Sequence, residues 1–241
     1  PLILLTNRTN LEVDLESLLL QDYSVEDEAY DEPLVLVIHT HGTEAYISND
    51  REYYYADEDF RSDNTDMNIV SVGDEFCRVL AKCGIISIHD RTMHDKASYS
   101  KAYRSSGSAV TAYLDKYPSI KYVIDIHRDA VCYDDVFKKP VVVIENIQAA
   151  QVMIVVGTDQ NGAEHPNWQQ NLIVALKWQE LMNESYPLLA RPVMLHKSSF
   201  NQFNMPTMLL LEIGAAANTL QEALLSADLC AQTLAELIKS H

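Results

Sequence analysis

The sequence is poor in cysteine, and the spacing of its few thiols excludes several classes of metal and redox protein. Four cysteines occur among 241 residues, and no two form a Cys-x-x-Cys pair or a zinc-ribbon spacing. Isolated cysteines of this kind are usually half-buried thiols on regular elements. We therefore expect no metal or redox role for Cys77, Cys83, Cys132 and Cys230.

Positive charge is also scarce. Lys and Arg number 18 against 35 Asp and Glu, which gives a formal net charge of -17. This balance argues against nucleic acid or an anionic membrane surface as the main partner. Nine acidic residues and no basic residue lie between Glu12 and Glu32. We predict a solvated acidic arm over residues 1–33, followed by one folded domain over residues 34–241.

Long apolar runs are absent as well. No run approaches the roughly 20 residues that a transmembrane helix requires. The chain begins at Pro1 rather than Met, so an upstream signal or membrane anchor is compatible with the sequence.

What the sequence does contain is an alternation of apolar strand candidates with amphipathic helix candidates. The predicted strands are Leu34–Ile38, Ile85–Ile88, Tyr122–Ile126, Val141–Ile144, Val152–Val156 and Thr207–Ile213. The predicted helices are Ile69–Cys83, Tyr99–Tyr117, Asn167–Tyr186 and Thr219–Ile238. This alternation predicts a single α/β domain with a mostly parallel sheet flanked by helices. Ligands of such sheets bind at the carboxyl ends of the strands.

Three of the predicted strands end in ionisable side chains. The stretch HTHGTEAY at 39–46 follows the first strand, and its two histidines, His39 and His41, should share a face if strand alternation continues. A later strand places Asp125 and His127 on one face, and the last strand ends in Glu212. Ionisable groups at three buried strand ends must be paired, hydrated or coordinated.

A zinc site is the interpretation that uses these residues together. His41 and Glu44, in a His-x-x-Glu spacing, would join the distant His127 as ligands. Two histidines and one carboxylate leave a fourth position for water, as in catalytic zinc sites. Zinc lowers the pKa of such a water to about 7, and Glu212 could then accept its proton.

Two of the roles keep an alternative. His39 is either an additional polar group of the site or the ligand in place of His41. Asp125 either orients a ligand histidine through its second ring nitrogen or forms a buried pair with Arg128.

Several ordered motifs resemble one family, the stage II sporulation protein P peptidoglycan hydrolases of endospore-forming bacteria. The resemblance covers residues 34 to about 237. The motifs that carry it are HTHGTEAY at 39–46, NIVSVGDEF at 68–76, IISIHDRTMHD at 85–95, YPSIKYVIDIHRDA at 117–130, MIVVG at 153–157, HPNWQQNLIVALK at 165–177, FNQ at 200–202 and LLLEIGAAANTLQEA at 209–223.

The resemblance implies a function related to the zinc-dependent N-acetylmuramoyl-L-alanine amidases. Such an enzyme cleaves the amide between the muramyl lactyl group and the L-alanine of the peptide stem, and an endopeptidase activity on cross-linked stems is also attributed to the family. Carried over by position, the ligand histidines fall on His41 (with His39 beside it) and His127, and the catalytic glutamate falls on Glu212. Residues 34–241 would then be the catalytic domain.

The resemblance also raises finer expectations about the site. Glu75, at the head of a helix, is a rival to Glu44 as the carboxylate ligand, because zinc amidases of a related fold draw that ligand from a helix. Arg128 would help to hold a developing oxyanion, unless it forms a salt bridge with a neighbouring aspartate. The tyrosines Tyr53–Tyr55, in the long segment 46–66, are a hypothetical surface for sugar rings.

Beyond the site, the resemblance implies an extracytoplasmic, membrane-anchored protein that works on peptidoglycan during engulfment, beside stage II sporulation protein D. Two other interpretations compete with the amidase. One is a zinc carboxypeptidase or deacylase, which needs a basic residue for a terminal carboxylate. The other is a non-catalytic wall-binding module.

Overall fold

The protein is built around a seven-stranded sheet with helices on both faces. The computed structural model describes residues 3–21, 31–47, 60–134, 136–162 and 164–240. Its strands are β1 (Leu5–Asn7), β2 (Val35–Ile38), β3 (Ser87–His89), β4 (Tyr122–Asp129), β5 (Cys132–Tyr133), β6 (Val136–Phe137), β7 (Val141–Ile144), β8 (Ile147–Ala150), β9 (Val152–Gly157), β10 (Val193–His196) and β11 (Met208–Ala215). Its α-helices are α1 (Leu15–Leu19), α2 (Ile69–Lys82), α3 (Ala102–Lys116), α4 (Trp168–Ser185) and α5 (Leu220–Lys239).

The order of strands in the sheet is β1-β10-β9-β11-β4-β2-β3. All neighbouring pairs are parallel except β9 with β11. The predicted fold class, a single α/β domain with a mostly parallel sheet flanked by helices, is confirmed. The pairs β5–β6 and β7–β8 form antiparallel hairpins outside the sheet. The predicted strand at 141–144 therefore exists but does not belong to the sheet.

The helices begin and end where local signals place them. The side chain of Asn68 accepts a hydrogen bond from Val70 N at the start of α2, and α5 begins with a capping box between Thr219 and Glu222. Helix α2 stops before Gly84, whose φ of 79° is readily adopted only by glycine. None of the helices within the described ranges has the length and apolar composition needed to cross a membrane.

The predicted acidic arm is partly incorporated into the fold. Strand β1 pairs with β10 at one edge of the sheet, and Leu18 of α1 is buried in the main core. The expectation of a solvated arm is therefore wrong for these two elements, because a few apolar residues among the acids suffice to dock them. Residues 22–30 lie outside the described residues, and the proposed boundary at residue 33 stays a prediction.

The two faces of the sheet are covered unequally. Helices α2, α4 and α5 pack on one face around a large core that includes Val37, Ile124 and Leu211. On the other face, α3 covers a smaller cluster that includes Leu36 and Ile38. Alternation along each strand sends its side chains to these two faces in turn. The thinner face leaves room for polar side chains at the carboxyl ends of β2, β4 and β11.

Candidate metal centre

Four of the predicted site residues come together at that edge, on the face covered by α3. His127 of β4 and Glu212 of β11 are register partners on adjacent parallel strands, so their side chains leave the same face. His41 and Glu44 belong to the turn that follows β2. The rings of His41 and His127 have centroids 5.4 Å apart, and His127 Nδ1 lies 3.4 Å from Glu44 Oε2.

The imidazole of His127 is flanked by a carboxylate on each side. Its Nε2 lies 3.0 Å from Asp125 Oδ1, opposite the contact with Glu44. Asp125 is itself fixed by Thr40, which donates its backbone N–H at 2.8 Å and its hydroxyl at 2.6 Å. Burial would lower the pKa of His127, but Asp125 and Glu44 outweigh it and raise that pKa well above the usual value. Of the two alternatives for Asp125, this arrangement favours orientation of His127.

Several polar atoms of this cluster lack partners. Among the described residues, four buried side-chain atoms have no hydrogen-bond partner, and three of them belong here: His41 Nδ1, His127 Nε2 and Glu212 Oε2. For His127 Nε2 the carboxylate of Asp125 is close enough for an ionic contact, but the two groups are not aligned as a hydrogen bond. The fourth atom is in His165. Unpaired buried polar atoms are costly and call for a ligand, an ion or water.

The pKa of Glu212 is raised, whereas the pKa values of Glu44 and Asp125 are lowered. Burial, reinforced by the charges of Glu44 and Asp129, raises its pKa to about 8, against the opposing effect of His127. A left-handed Gly214 (φ 67°) and a register shift between Glu212 and Ala215 against β4 end regular pairing just beyond this residue.

The donor set suits zinc, although the described residues contain no group of three or more His, Cys, Asp or Glu side chains already arranged around a metal position. Two ligands of tetrahedral zinc, each about 2.0–2.1 Å from the metal, lie about 3.3–3.4 Å from one another. The 3.4 Å between His127 Nδ1 and Glu44 Oε2 matches that separation. His41 supplies a further unpaired nitrogen. The residues therefore fit the metal in the type of donor and in the separation of two of the proposed ligands.

His39 does not share the face of His41, and that expectation is wrong. Strand β2 ends at Ile38, so the turn that follows redirects His41 to the α3 face. The side chain of His39 instead lies on the face covered by α2, next to Gly73. Its Nδ1 is 3.0 Å from Ile126 O and its Nε2 is 2.8 Å from His89 Nε2. His89 Nδ1 in turn lies 3.0 Å from Asp74 Oδ1. His39 is thus engaged on the opposite side of the sheet.

Glu75 is also placed away from the cluster. It lies on α2 and pairs with Arg78 of the same helix through both carboxylate oxygens. Between the two rival carboxylate ligands, the geometry favours Glu44.

Among the described residues Arg128 pairs with neither neighbouring aspartate, so that expectation is wrong, while its role at a developing oxyanion stays a prediction. Its Nε donates to Ala45 O at 3.1 Å and its NH2 group donates to Phe60 O at 2.7 Å, while its backbone N–H donates to Glu44 Oε2 at 3.1 Å. The neighbouring Asp129 pairs with Arg191 instead. Arg128 therefore fastens the segment after β2 and holds the carboxylate of Glu44 in position.

Sequence reasoning missed the aromatic and carboxylate neighbours of His41. The ring of Tyr99 stacks on His41 with centroids 4.3 Å apart, and the ring of Tyr103 meets it edge-on at 5.6 Å. Asp95 accepts from the Thr43 hydroxyl at 2.6 Å and lies 3.8 Å from His41 Nδ1. Both tyrosines lie in a predicted helix, where aromatic residues usually signal packing only. The tyrosines Tyr53–Tyr55 lie outside the described residues.

Comparison with known sequences identifies relatives of this chain. Residues 7–235 match the sequence profile of the family described as Stage II sporulation protein P. The stage II sporulation protein P of Bacillus subtilis (strain 168) is 28% identical over 218 residues, which are 86% of this chain and 51% of that protein. The chain thus spans about half the length of this curated relative. The resemblance inferred from the motifs is confirmed.

Comparison with solved structures bears on the fold. The CwlD amidase of Clostridioides difficile, solved in complex with the GerS lipoprotein, has a TM-score of 0.53 at 10% identity and covers 87% of this chain and 98% of its own. The amidase Ami1 of Mycobacterium abscessus gives a TM-score of 0.49 at 10% identity, over 87% of this chain and 98% of that one. At such identities the likeness to CwlD supports a shared fold and no more.

Proposed function

The chain belongs to the stage II sporulation protein P family, and on that premise we propose that it is a zinc-dependent peptidoglycan hydrolase of sporulation. The bond assigned to it is the amide between the lactyl group of N-acetylmuramic acid and the L-alanine that begins the peptide stem. Cleavage within cross-linked stems is a second activity within the same proposal.

One observation carries this assignment. Two histidines and two glutamates from three separate segments converge at the carboxyl edge of the sheet, and His41 Nδ1 and Glu212 Oε2 are buried there without a hydrogen-bond partner among the described residues. Strand-end clusters of this kind are where parallel sheets bind ligands. The composition of the cluster is that of a catalytic rather than a structural zinc site.

His41, Glu44 and His127 are the residues that would hold the ion. Zinc bound there would act as a Lewis acid on the scissile carbonyl and lower the pKa of a water to about 7. Asp125 lies 3.0 Å from His127 Nε2, is immobilised by Thr40, and would accept the Nε2 proton of a His127 that binds the ion through Nδ1. Such outer partners fix the tautomer of a ligand histidine and increase its basicity.

Glu212 carries the proton in this scheme. Burial raises the pKa of this carboxyl group to about 8 in the absence of a metal, and a bound zinc ion would lower it, so that the ionised carboxylate could accept a proton near neutral pH. It takes the proton from the attacking water and delivers it to the departing amine of L-alanine. Because Glu212 is the register partner of His127, the group that transfers the proton and a ligand of the ion lie on the same face of the sheet.

The test is digestion of purified peptidoglycan followed by mass spectrometry. New L-alanine N-termini are expected for the amidase, whereas stems shortened from the carboxyl end would identify a carboxypeptidase. The Glu212→Gln chain should retain zinc and the unfolding midpoint of the parent while losing hydrolysis. Undiminished hydrolysis by that variant would remove Glu212 from the mechanism.

The carboxypeptidase interpretation gains no support from Arg128. A terminal carboxylate needs a cation to receive it, but this guanidinium is already occupied by the carbonyl oxygens of Ala45 and Phe60. A non-catalytic wall-binding module is excluded as soon as the digestion produces new ends.

For the whole protein, the proposal includes an extracytoplasmic location on the cell-wall side of the membrane, an anchor outside this chain, and stage II sporulation protein D as a partner. These three parts rest on the family alone. Crosslinking in sporulating cells, with fractionation of membranes and wall, tests them together. Recovery of the protein in the cytoplasm would contradict the location.

A further inference from the structure

A cleft with a cavity volume of about 320 Å³ opens beside the candidate metal centre. Its lining residues are Tyr103, Asn161, Ser198, Ser199, Phe200 and Asn201. The first of these connects the cleft to the cluster, because the ring of Tyr103 lies 5.6 Å from that of His41 on one side and 5.9 Å from that of Phe200 on the other. A ligand in the cleft would therefore lie next to the bond that is cleaved at the cluster.

The wall of the cleft is rigidly built. Phe200 and Asn201 both have left-handed backbones, with φ of 50° and 60°, a conformation that residues other than glycine keep where the surroundings impose it. The Asn201 amide imposes this geometry by donating to Tyr103 O at 2.8 Å and to Ser106 Oγ at 3.1 Å. At Gly157 a side chain would collide with Ser198 O, so the loop also fits closely against the end of β9. Such strain held by tertiary contacts is typical of ligand sites.

The Phe200 ring is supported from below and from the side. It packs on a small apolar cluster of Met153, Val155 and Leu210, and the ring of His196 lies 5.1 Å away. The residue itself is only half-buried, so part of the ring remains open to a ligand.

The chemistry of the lining is uncharged. In the part of the chain that the structure describes, the cleft offers aromatic rings, hydroxyl groups and side-chain amides but no ionisable acid or base apart from the phenol of Tyr103. Hydroxyls and amides both donate and accept hydrogen bonds, as do the hydroxyl and acetamido groups of an amino sugar. A peptide stem with free carboxylates suits the cleft less well, because the chain carries a net charge of -17 and the lining offers no cation.

From this juxtaposition we propose that the cleft of Tyr103, Asn161 and Phe200 binds an N-acetylated sugar ring of the glycan strand, next to the site of hydrolysis. The inference rests on the proposed function for its choice of polymer. A volume of about 320 Å³ is at the small end of ligand pockets, which span about 300–1,000 Å³, and corresponds to one ring rather than a long segment. In this arrangement the sugar that carries the scissile amide lies on the Phe200 side of the candidate metal centre.

The experiment measures sugar binding separately from hydrolysis. Calorimetry on the Glu212→Gln chain uses a peptide-free tetrasaccharide of alternating N-acetylglucosamine and N-acetylmuramic acid, and the stem peptide alone as a second probe. The tetrasaccharide should bind saturably. Phe200→Leu, which keeps bulk and backbone preference but removes the aromatic face, should weaken its affinity about three- to tenfold. Asn161→Ala, at an exposed side chain that bonds only Ser198 Oγ among the described groups, should weaken it as well.

The matched control is Phe203→Leu. Phe203 is 42% exposed and lies on the same segment outside the lining of the cleft, so its replacement should leave sugar affinity unchanged. Equal affinity of the Phe200→Leu, Asn161→Ala and parent chains overturns the inference, and so does binding of the stem peptide that depends on Phe200. If the parent chain fails to hydrolyse peptidoglycan but still binds the tetrasaccharide through Phe200, the proposed function falls while the subsite stands. If the parent chain hydrolyses peptidoglycan without such binding, the subsite falls while the proposed function stands.

Discussion

Replacing Gly73 by alanine should destabilise the protein, although alanine is the better helix former. Gly73 lies in α2 directly over the contact between two histidine rings. A Cβ atom there would lie 2.5 Å from His39 Nε2 and 2.6 Å from His89 Nε2, whereas non-bonded heavy atoms prefer about 3.5–4.0 Å. Both rings would have to move about 1 Å.

The rings cannot move freely because each is held at its far side. His39 is bonded to Ile126 O at 3.0 Å and His89 to Asp74 Oδ1 at 3.0 Å, and the two rings are 2.8 Å apart at their facing nitrogens. Overpacking costs about 1–3 kcal/mol, and a buried hydrogen bond left unmade costs about 1–3 kcal/mol. The gain in helix propensity offsets about 1 kcal/mol. The free energy of unfolding should therefore fall by about 1–5 kcal/mol.

Urea denaturation with unchanged m-values measures this difference. Gly107→Ala in α3 is the matched control, because its Cβ would lie 3.0 Å from Asn201 Oδ1 rather than 2.5 Å from a ring nitrogen, and a smaller loss of stability than for Gly73→Ala is expected. In a His89→Ala background the cost of Gly73→Ala should shrink, since neighbouring effects couple. A Gly73→Ala protein as stable as the parent would refute the proposed packing.

Three further predictions concern the metal centre and the thiols. Glu44→Gln should lower zinc affinity at least tenfold, whereas Glu75→Gln should leave it unchanged; metal analysis after dialysis against a graded chelator compares them, and equal losses would contradict the placement of the ligand. Asp125→Asn should lower zinc affinity about 10–100-fold by releasing the ligand ring it holds, which the same titration measures; wild-type affinity would count against the orienting role. Because burial raises the pKa of Cys77 to about 11, its reaction with a thiol reagent should accelerate about tenfold per pH unit up to that pKa. At pH 8 the exposed Cys132 should react first. Mass spectrometry of the labelled peptides follows both thiols, and the opposite order would show that Cys77 is accessible.

Much of the architecture was predictable from the sequence because it depends on local pattern. The apolar run that becomes β2 and the amphipathic stretch that becomes α2 differ in period, and a cap at Asn68 with a stop at Gly84 limits the helix. Strand β1, at the edge of the sheet, and strand β10 beside it were missed, since segments of three and four residues become strands only when a neighbour offers free backbone groups.

The candidate site was predictable in part. Motif order pointed to His41, His127 and Glu212, and the structure brings them together at one edge; their catalytic roles stay predictions. The sequence could not anticipate the stacking of Tyr99 on His41, because a tyrosine in a helix looks the same whether it fills a core or covers a site.

By itself, then, the sequence determined the layered fold, the strands that end in ionisable groups, and the family. Only the tertiary structure showed that His41 and Glu44 lie in the cluster with His127, whereas His39 and Glu75 lie elsewhere. The reason is that the position of each residue depends on the direction in which its side chain leaves the backbone. Where strand alternation stops at Ile38 and the chain turns, spacing along the sequence no longer says which face a side chain occupies. The contacts with His89, Arg78 and His127 then fix each residue in its place.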